Sequence, residues 1–474
     1  MGRRGRGNFA LSPTAQRRVI YILFFLKIER KMFSKKSVIS PLSSLWVQSL
    51  RILLVLSLYS LIEGNTEIER AHDLMNTYPL IDGHNDLALQ LRILHRNRLS
   101  QIDLHNLSKV ATDISRLQAG HVQAQMFAVY VMCGAQQKDA VRLTLEQIDL
   151  VRRMCTEYKE FELVTSAQEL KNSAKEQKIA CVISIEGGHS IDSSLPTLRM
   201  FYLLGVRSMS LTHTCNTPWA ESSSKLYNVF QRRNTSLTHF GKAVVDEMNR
   251  LGMIVDLSHT SWDTASAVLN HTKAPVIFSH SSSYSVCNHS RNVPDWLLHK
   301  LKKNRGLIMV NLHSQFIACK HEAIISQVAD HFDHIKSVIG TESIGIGGDF
   351  DGASIFPEGL KDVSNYPALI EELMERNWTD NQLADVLRRN FLRVFEEVEA
   401  VRDLLRSNYP SELQIPSEEV QNPCRLDLRY PYPRQVPRGQ SVSPTEIKSQ
   451  GFLIRASVFC NLVILLINCV FILV

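Results

Sequence analysis

Short apolar runs recur along this 474-residue chain, and six of them stop at a residue able to bind a metal ion or carry a proton. Leu80-Ile81-Asp82-Gly83 leads into His84-Asn85-Asp86, Val182-Ile183-Ser184-Ile185 into Glu186, and Met209-Ser210-Leu211-Thr212 into His213. Ile254-Val255-Asp256-Leu257-Ser258 stops at His259, Val276-Ile277-Phe278-Ser279 at His280, and Ile344-Gly345-Ile346-Gly347-Gly348 at Asp349. A strand buried on both faces of a parallel sheet reads as a continuous apolar run. Functional residues of (β/α)8 barrels stand at the C-terminal ends of several different strands. One such ending carries little weight, whereas six in order describe a ring of ligands around one barrel mouth.

The pattern yields eight strand candidates: Leu80–Gly83, Ala124–Met132, Ala180–Ile185, Val206–Thr212, Met253–Ser258, Val276–Ser279, Leu307–Leu312 and Ser343–Gly348. Helical stretches separate most of them. Ala140–Cys155, Leu237–Leu251, Asp295–Lys303 and Gln327–Ile339 repeat apolar residues at three and four spacing, and Asp263–Leu269 is a shorter stretch of the same kind. This alternation implies βαβ units and a parallel sheet. Eight units in a body of this size favour a closed (β/α)8 barrel of the TIM type over a doubly wound sheet. Two helices, Tyr366–Arg376 and Thr379–Leu405, follow the last strand, and from Asn408 seven prolines punctuate a stretch with little apolar periodicity. We read that stretch as a stalk. The resulting division is a basic leader with signal peptide over 1–64, the barrel over 65–407, a Pro-rich stalk over 408–448 and an apolar tail over 449–474.

The net charge of +6 belongs to the leader, because residues 1–36 hold ten Lys/Arg against one Glu and the remainder carries −3. The body is mildly acidic, and nothing in it suggests a nucleic-acid footprint. Leu50–Ile62 is an apolar stretch behind this basic lead, of a length that suits a signal-peptide core better than a membrane span. A retained signal anchor is the alternative, and Met32 is a second possible start. The chain ends in an apolar run through Val474 with no basic residue after it, and small residues lie upstream around Ser441–Ser443. That arrangement predicts a GPI-attachment signal with Ser441 as the attachment residue. A retained C-terminal helix is the alternative, disfavoured by Asn461 and Asn468 inside the run. Sequons at Asn106, Asn234, Asn270, Asn288 and Asn377 accompany these two signals and point to a secreted, oxidising context. Of nine cysteines, Cys460 and Cys469 leave with the tail; Cys133, Cys215, Cys287, Cys319 and Cys424 fall in loops or near strand ends. Cys155 on a helix and Cys181 opening a strand are expected to be buried free thiols. No Cys-x-x-Cys pair occurs, which argues against a thiolate zinc site.

His84 and Asp86 are two residues apart, so in extended backbone both side chains face the same side and can hold one ion. Glu186 precedes Gly187-Gly188-His189, where glycines allow a sharp turn, and its carboxylate can bridge two cations. His259 and His280 supply imidazole nitrogens, and mixed His/Asp/Glu ligation suits Zn²⁺. Two cations a few ångströms apart can polarise a carbonyl and lower the pKa of a shared water. Asp349 is placed to take that proton as general base, with Asp351 as its rival. His213 can hydrogen-bond an oxyanion or act as a third imidazole ligand, and spacing leaves both open. Arg291 can clamp a substrate carboxylate. His189 receives no role.

The segments Tyr78–Asp86, Glu186–His189, Leu211–Ala220 and Gly347–Gly352 together resemble the membrane dipeptidase (renal dipeptidase) family over residues 70–425. The resemblance implies a zinc-dependent (β/α)8 barrel of the amidohydrolase type with two Zn²⁺ per subunit. It implies that His84 and Asp86 bind one zinc, Glu186 bridges, and His259 with His280 binds the other. It also implies that His213, Arg291 and Asp349 contact substrate, with Asp349 the proton acceptor. It further implies disulfides Cys133–Cys215 and Cys287–Cys319, and Cys424 linking two subunits of a homodimer. Phe316 stands where the family pattern has tyrosine near the substrate, which bears on side-chain preference and inhibitor affinity and not on hydrolysis.

The expected activity is therefore that of a GPI-anchored dipeptidase on the outer face of the plasma membrane. By resemblance, its substrates include cysteinylglycine conjugates such as leukotriene D4, converted to leukotriene E4. Two other readings stand beside it. Another barrel hydrolase, such as a deaminase or phosphotriesterase, commonly uses a carbamylated lysine or a different ligand where Glu186 stands. A catalytically silent surface binding protein is the second, and missing ligands would favour it.

Overall fold

The computed structural model describes residues 67–224, 226, 229–230, 236–420 and 422. The leader, the apolar tail, Asn234, Cys424 and Ser441 lie outside the described residues. Nine strands form one parallel sheet: β1 (Leu80–Asn85), β2 (Val122–Tyr130), β3 (Phe161–Leu163), β4 (Ile179–Glu186), β5 (Val206–Ser210), β6 (Ile254–Asp256), β7 (Ile277–Phe278), β8 (Leu307–Val310) and β9 (Ile344–Ile346). Their order is β2-β1-β9-β8-β7-β6-β5-β4-β3, and an additional pairing of β2 with β4 closes the barrel. That seam runs from Ala124↔Ala180 to Tyr130↔Glu186. Eight strands therefore form the (β/α)8 barrel, as the sequence pattern predicts. The ninth, β3, pairs only with the start of β4, where β5 has not yet begun.

Helices wrap the barrel between strands, among them Ala140–Glu157, Leu195–Leu203, His239–Leu251, Asp295–Asn304 and Ile325–Ile339. Several begin where a side chain satisfies an otherwise orphan N–H: Thr238 accepts from Gly241, and Ser261 accepts from Thr264. The stretch read as one helix over Thr379–Leu405 is divided into Asp380–Ala384, a π-helical turn Asp385–Arg389, and Asn390–Leu404. The turn sits against β1 and β9 at the barrel's N-terminal end.

The barrel interior is filled by short and flexible residues. Ile81, Ala124, Met126, Ala180, Val182, Ile254, Ile277, Leu307 and Met309 form one cluster with Phe391, Val394, Phe395 and Val398 of the last helix. That helix stoppers the N-terminal end, and burying each of its phenylalanines contributes roughly 1.5–3 kcal/mol. Gly83 is required by close packing, since a Cβ there would stand 2.4 Å from the Met309 sulfur.

Cys155 and Cys181 correct the expectation of free thiols: they form a disulfide with Cα atoms 6.3 Å apart. Their places on a helix and at the start of a strand give no sign of a partner in the sequence. The end of helix Ala140–Glu157 packs on the first residues of β4 and brings the pair into bonding range. Cys133–Cys215 and Cys287–Cys319 are also bonded. Asn106, Asn270, Asn288 and Asn377 are all exposed. No helix among the described residues is long and apolar enough to cross a membrane. Residues from Pro416 onward form a separate unit, whose described part holds one 3-10 turn, Ser417–Glu419.

Candidate metal centre and substrate cavity

The six strand-ending residues meet at the C-terminal end of the barrel. His84 lies in β1 and Glu186 ends β4; His213, His259, His280 and Asp349 follow β5, β6, β7 and β9 by two or three residues. Glu186 Oε1 is the focus. It lies 3.0 Å from His259 Nε2, 3.4 Å from His280 Nε2, 3.5 Å from His84 Nε2 and 3.7 Å from His213 Nε2. His84 Nε2 is also 3.1 Å from Asp86 Oδ2, and the Nε2 atoms of His259 and His280 are 2.9 Å apart. The donor atoms form overlapping groups: His84 with Glu186 and His280, Glu186 with His213 and His259, and His84 with Asp86 and Asp349.

This donor set fits metal ions. Two nitrogen or oxygen ligands on one tetrahedral zinc stand roughly 3.3 Å apart, which is the spacing found here. Asp86 Oδ1 is buried without a protein hydrogen-bond partner. Such an orphan is costly unless something positive satisfies it. The electrostatics agree. Burial disfavours a charged His84, yet Glu186 and Asp86 outweigh it and hold its pKa at about 10. A cation would replace that proton. Burial pushes His213, His259 and His280 well below the usual histidine value, leaving neutral imidazoles with free lone pairs. Burial likewise raises Glu186, and it lifts Asp349 to about 6, with the Asp86 charge adding to the effect.

Local backbone fixes several of these groups. His259 has φ 68°, a left-handed conformation uncommon for histidine. Its carbonyl accepts from Thr212 Oγ1 (3.0 Å), Ser223 N (2.8 Å) and Ser222 Oγ (3.3 Å), which hold that geometry. Gly187 has φ 107°, and a Cβ there would meet the His189 ring. His189 itself faces away from the cluster and is bonded through Nε2 to the Val131 carbonyl.

A cavity of about 720 Å³ opens over the cluster; Asp86, Glu186, His213, His259, Arg291 and Asp349 line it. Arg291 donates from Nη1 to Ser281 Oγ (3.3 Å) and from Nη2 to the His280 carbonyl (3.2 Å), while its buried Nε has no partner. Its guanidinium lies 5.4 Å over the Phe316 ring, which packs between His289 and His313. Asp349 accepts from Asn311 Nδ2 (2.8 Å) and faces the cavity. Its rival Asp351 instead accepts the Ala111 N–H (2.7 Å) outside the cavity.

The sequence reasoning missed four buried polar residues that support this ring. Asp82 accepts from Tyr366 Oη (2.6 Å) and Gly348 N (2.9 Å), fastening β1 to β9. Asp256, Ser279 and Asn311 act similarly at other strand ends. A carboxylate interrupting an apolar strand, as in Ile81-Asp82 and Val255-Asp256, is the signal that was available.

The chain is similar to proteins of one known family. The profile for membrane dipeptidase (Peptidase family M19) matches residues 68–408. Dipeptidase 3 of Mus musculus is 52% identical over 367 residues, 77% of this chain and 74% of that protein. Dipeptidase 3 of Homo sapiens is 51% identical over 359 residues, 76% of this chain and 73% of that protein. Among solved structures, the metallopeptidase dipeptidase AC is 26% identical with a TM-score of 0.63, covering 68% of this chain and 99% of that one.

Proposed function

We propose, from the premise that this chain belongs to the membrane dipeptidase family of metal-dependent hydrolases, that it is a dizinc dipeptidase of the cell surface. His84 and Asp86 would hold one Zn²⁺, His259 and His280 the other, and Glu186 would bridge them. The ions, when bound, supply Lewis acidity toward the peptide carbonyl and acidify the attacking water. Arg291 binds the C-terminal carboxylate of the substrate with its unpartnered Nε and its η nitrogens. That contact selects dipeptides, because a longer chain would carry its carboxylate beyond the clamp. His213 hydrogen-bonds the carbonyl oxygen as it gains charge. Asp349 takes the water's proton and passes it to the leaving amine.

The carrying observation is the convergence of four imidazole Nε2 atoms on Glu186 Oε1 within 3.0–3.7 Å. The cavity is open above the cluster. This leaves room for a large thioether on an N-terminal cysteine, so cysteinylglycine conjugates such as leukotriene D4 are the proposed substrates. The leader, the sequons and the C-terminal signal would place the barrel, on its stalk, at the extracellular face under a GPI anchor near Ser441. Cys424 would link two such subunits.

The test is zinc analysis of the purified protein with hydrolysis of a dipeptide panel, nucleobases and phosphotriesters, before and after chelation. Two zinc per chain with dipeptide hydrolysis lost on chelation is expected. Undiminished dipeptide hydrolysis by demetallated protein, or activity on the other classes alone, would overturn the reading.

A further inference from the structure

Asp256 ends β6, is buried, and contacts neither the cavity nor any member of the ligand cluster directly. Its Oδ1 accepts the backbone N–H groups of Ser258 (2.9 Å) and Ser279 (3.0 Å). Its Oδ2 accepts the hydroxyl of Ser279 (2.5 Å). Ser279 has one hydroxyl proton, and a carboxylate receives it. The same oxygen lies 2.8 Å from His280 Nδ1, so there it can only accept. The proton between them must therefore sit on His280 Nδ1. The unprotonated nitrogen is Nε2, the atom directed at Glu186 and His259.

Among the other imidazoles of the cluster, His213 Nδ1 lies 3.1 Å from Thr214 Oγ1, but that hydroxyl is directed at Cys133 Sγ (3.5 Å) and not at a carboxylate. The Nδ1 atoms of His84 and His259 are buried without a hydrogen-bond partner. Both residues are fixed through their backbone: the Asp82 carboxylate accepts the His84 N–H, and three donors meet the His259 carbonyl. His280 is held through its backbone as well, its N–H donating to Ser258 Oγ (3.0 Å), and in addition through its ring.

We propose that Asp256 and Ser279 are positioning residues that lock the tautomer and ring orientation of His280, and that the cation position using His280 is for this reason the pre-organised one. Partners of this kind behind a metal-binding histidine typically change metal affinity 10–100-fold when removed. The inference rests on the dizinc reading and concerns a difference between the two positions that the reading does not require.

The experiment is a competitive zinc titration, against a chromophoric chelator, of the wild-type protein, S279A, S279T and D256N, with the melting temperature of each metal-free protein. Loss of 10–100-fold affinity in one of two zinc equivalents in S279A is expected, with the other equivalent and the metal-free melting temperature unchanged. S279T, which keeps the hydroxyl, should restore the affinity. Nitrogen-15 spectra of the metal-free protein labelled at histidine read the tautomer directly and cover the case in which a variant fails to fold. His280 should be protonated at Nδ1 in the wild type. Two unaltered equivalents in S279A, equal weakening of both, or an Nε2-protonated His280 would overturn the proposal while leaving the dizinc reading intact. A wild-type protein that binds no zinc would overturn both.

Discussion

Replacing His331, which belongs to neither the ligand cluster nor the cavity lining, has a consequence with a calculable pH dependence. His331 lies fully buried on helix Ile325–Ile339. Its Nδ1 accepts the N–H of Ser283 (3.0 Å) and its Nε2 donates to the Ile317 carbonyl (2.9 Å). An acceptor on one side and a donor on the other require the neutral ring. Burial pushes its pKa from 6.5 down to about 4. The folded-state value is the lower one, so as pH falls the unfolded chain takes up its proton first. The stabilisation is therefore whole above about pH 6.5, declines between about 6.5 and 4, and is gone below. A gap of about 2.5 units is worth roughly 3 kcal/mol. In H331L the Ser283 N–H and the Ile317 carbonyl are left buried and unpaired, at about 1–3 kcal/mol each. Urea unfolding of metal-free wild type and H331L should show the variant less stable by roughly 2–5 kcal/mol at pH 7.5. That difference should shrink by about 2 kcal/mol or more by pH 4.5. Metal-free protein removes the ligand histidines' linkage to zinc, and the other titrations are common to both proteins. A difference independent of pH would refute the buried neutral imidazole.

Glu186→Gln should reduce bound zinc and lower dipeptide hydrolysis at least about 100-fold; full activity with both ions retained would end its bridging role. Arg291→Lys keeps the charge but loses the fork. It should raise KM about 10-fold or more for free dipeptides while leaving slow turnover of C-terminally amidated analogues unaffected, as steady-state kinetics will show. Non-reducing peptide mapping should recover Cys155 joined to Cys181, and C155S/C181S should lose about 3 kcal/mol in urea unfolding; an unchanged midpoint and free thiols would contradict the bond.

Much of the barrel was legible because strands buried on both faces leave uninterrupted apolar runs, and because each run stops at a chemically distinctive residue. The Glu186 and His280 strand ends were visible for this reason. What escaped detection was short or depended on partners far away in sequence. β3 spans three residues with Glu162 at its centre and pairs only with the first residues of β4. The π-helical turn at Asp385–Arg389 keeps the apolar spacing of an ordinary helix, so periodicity alone joins it to its neighbours. Cys155 and Cys181 are 26 residues apart on different element types, and only packing brings them together. Asn311 and Ser279 look like ordinary strand-end residues until Asp349 and Asp256 are placed beside them.

Phe391, Val394, Phe395 and Val398 fill the end of the barrel opposite the cavity. Among the described residues that end of the barrel is closed, so whatever enters and leaves the cavity shares its open side. Arg291 and His213 line that cavity, so under the proposed function each liberated amino acid leaves past the groups proposed to receive the dipeptide. On the proposed reading the C-terminal amino acid, whose carboxylate the guanidinium already holds, should linger longest and compete with the next substrate for it.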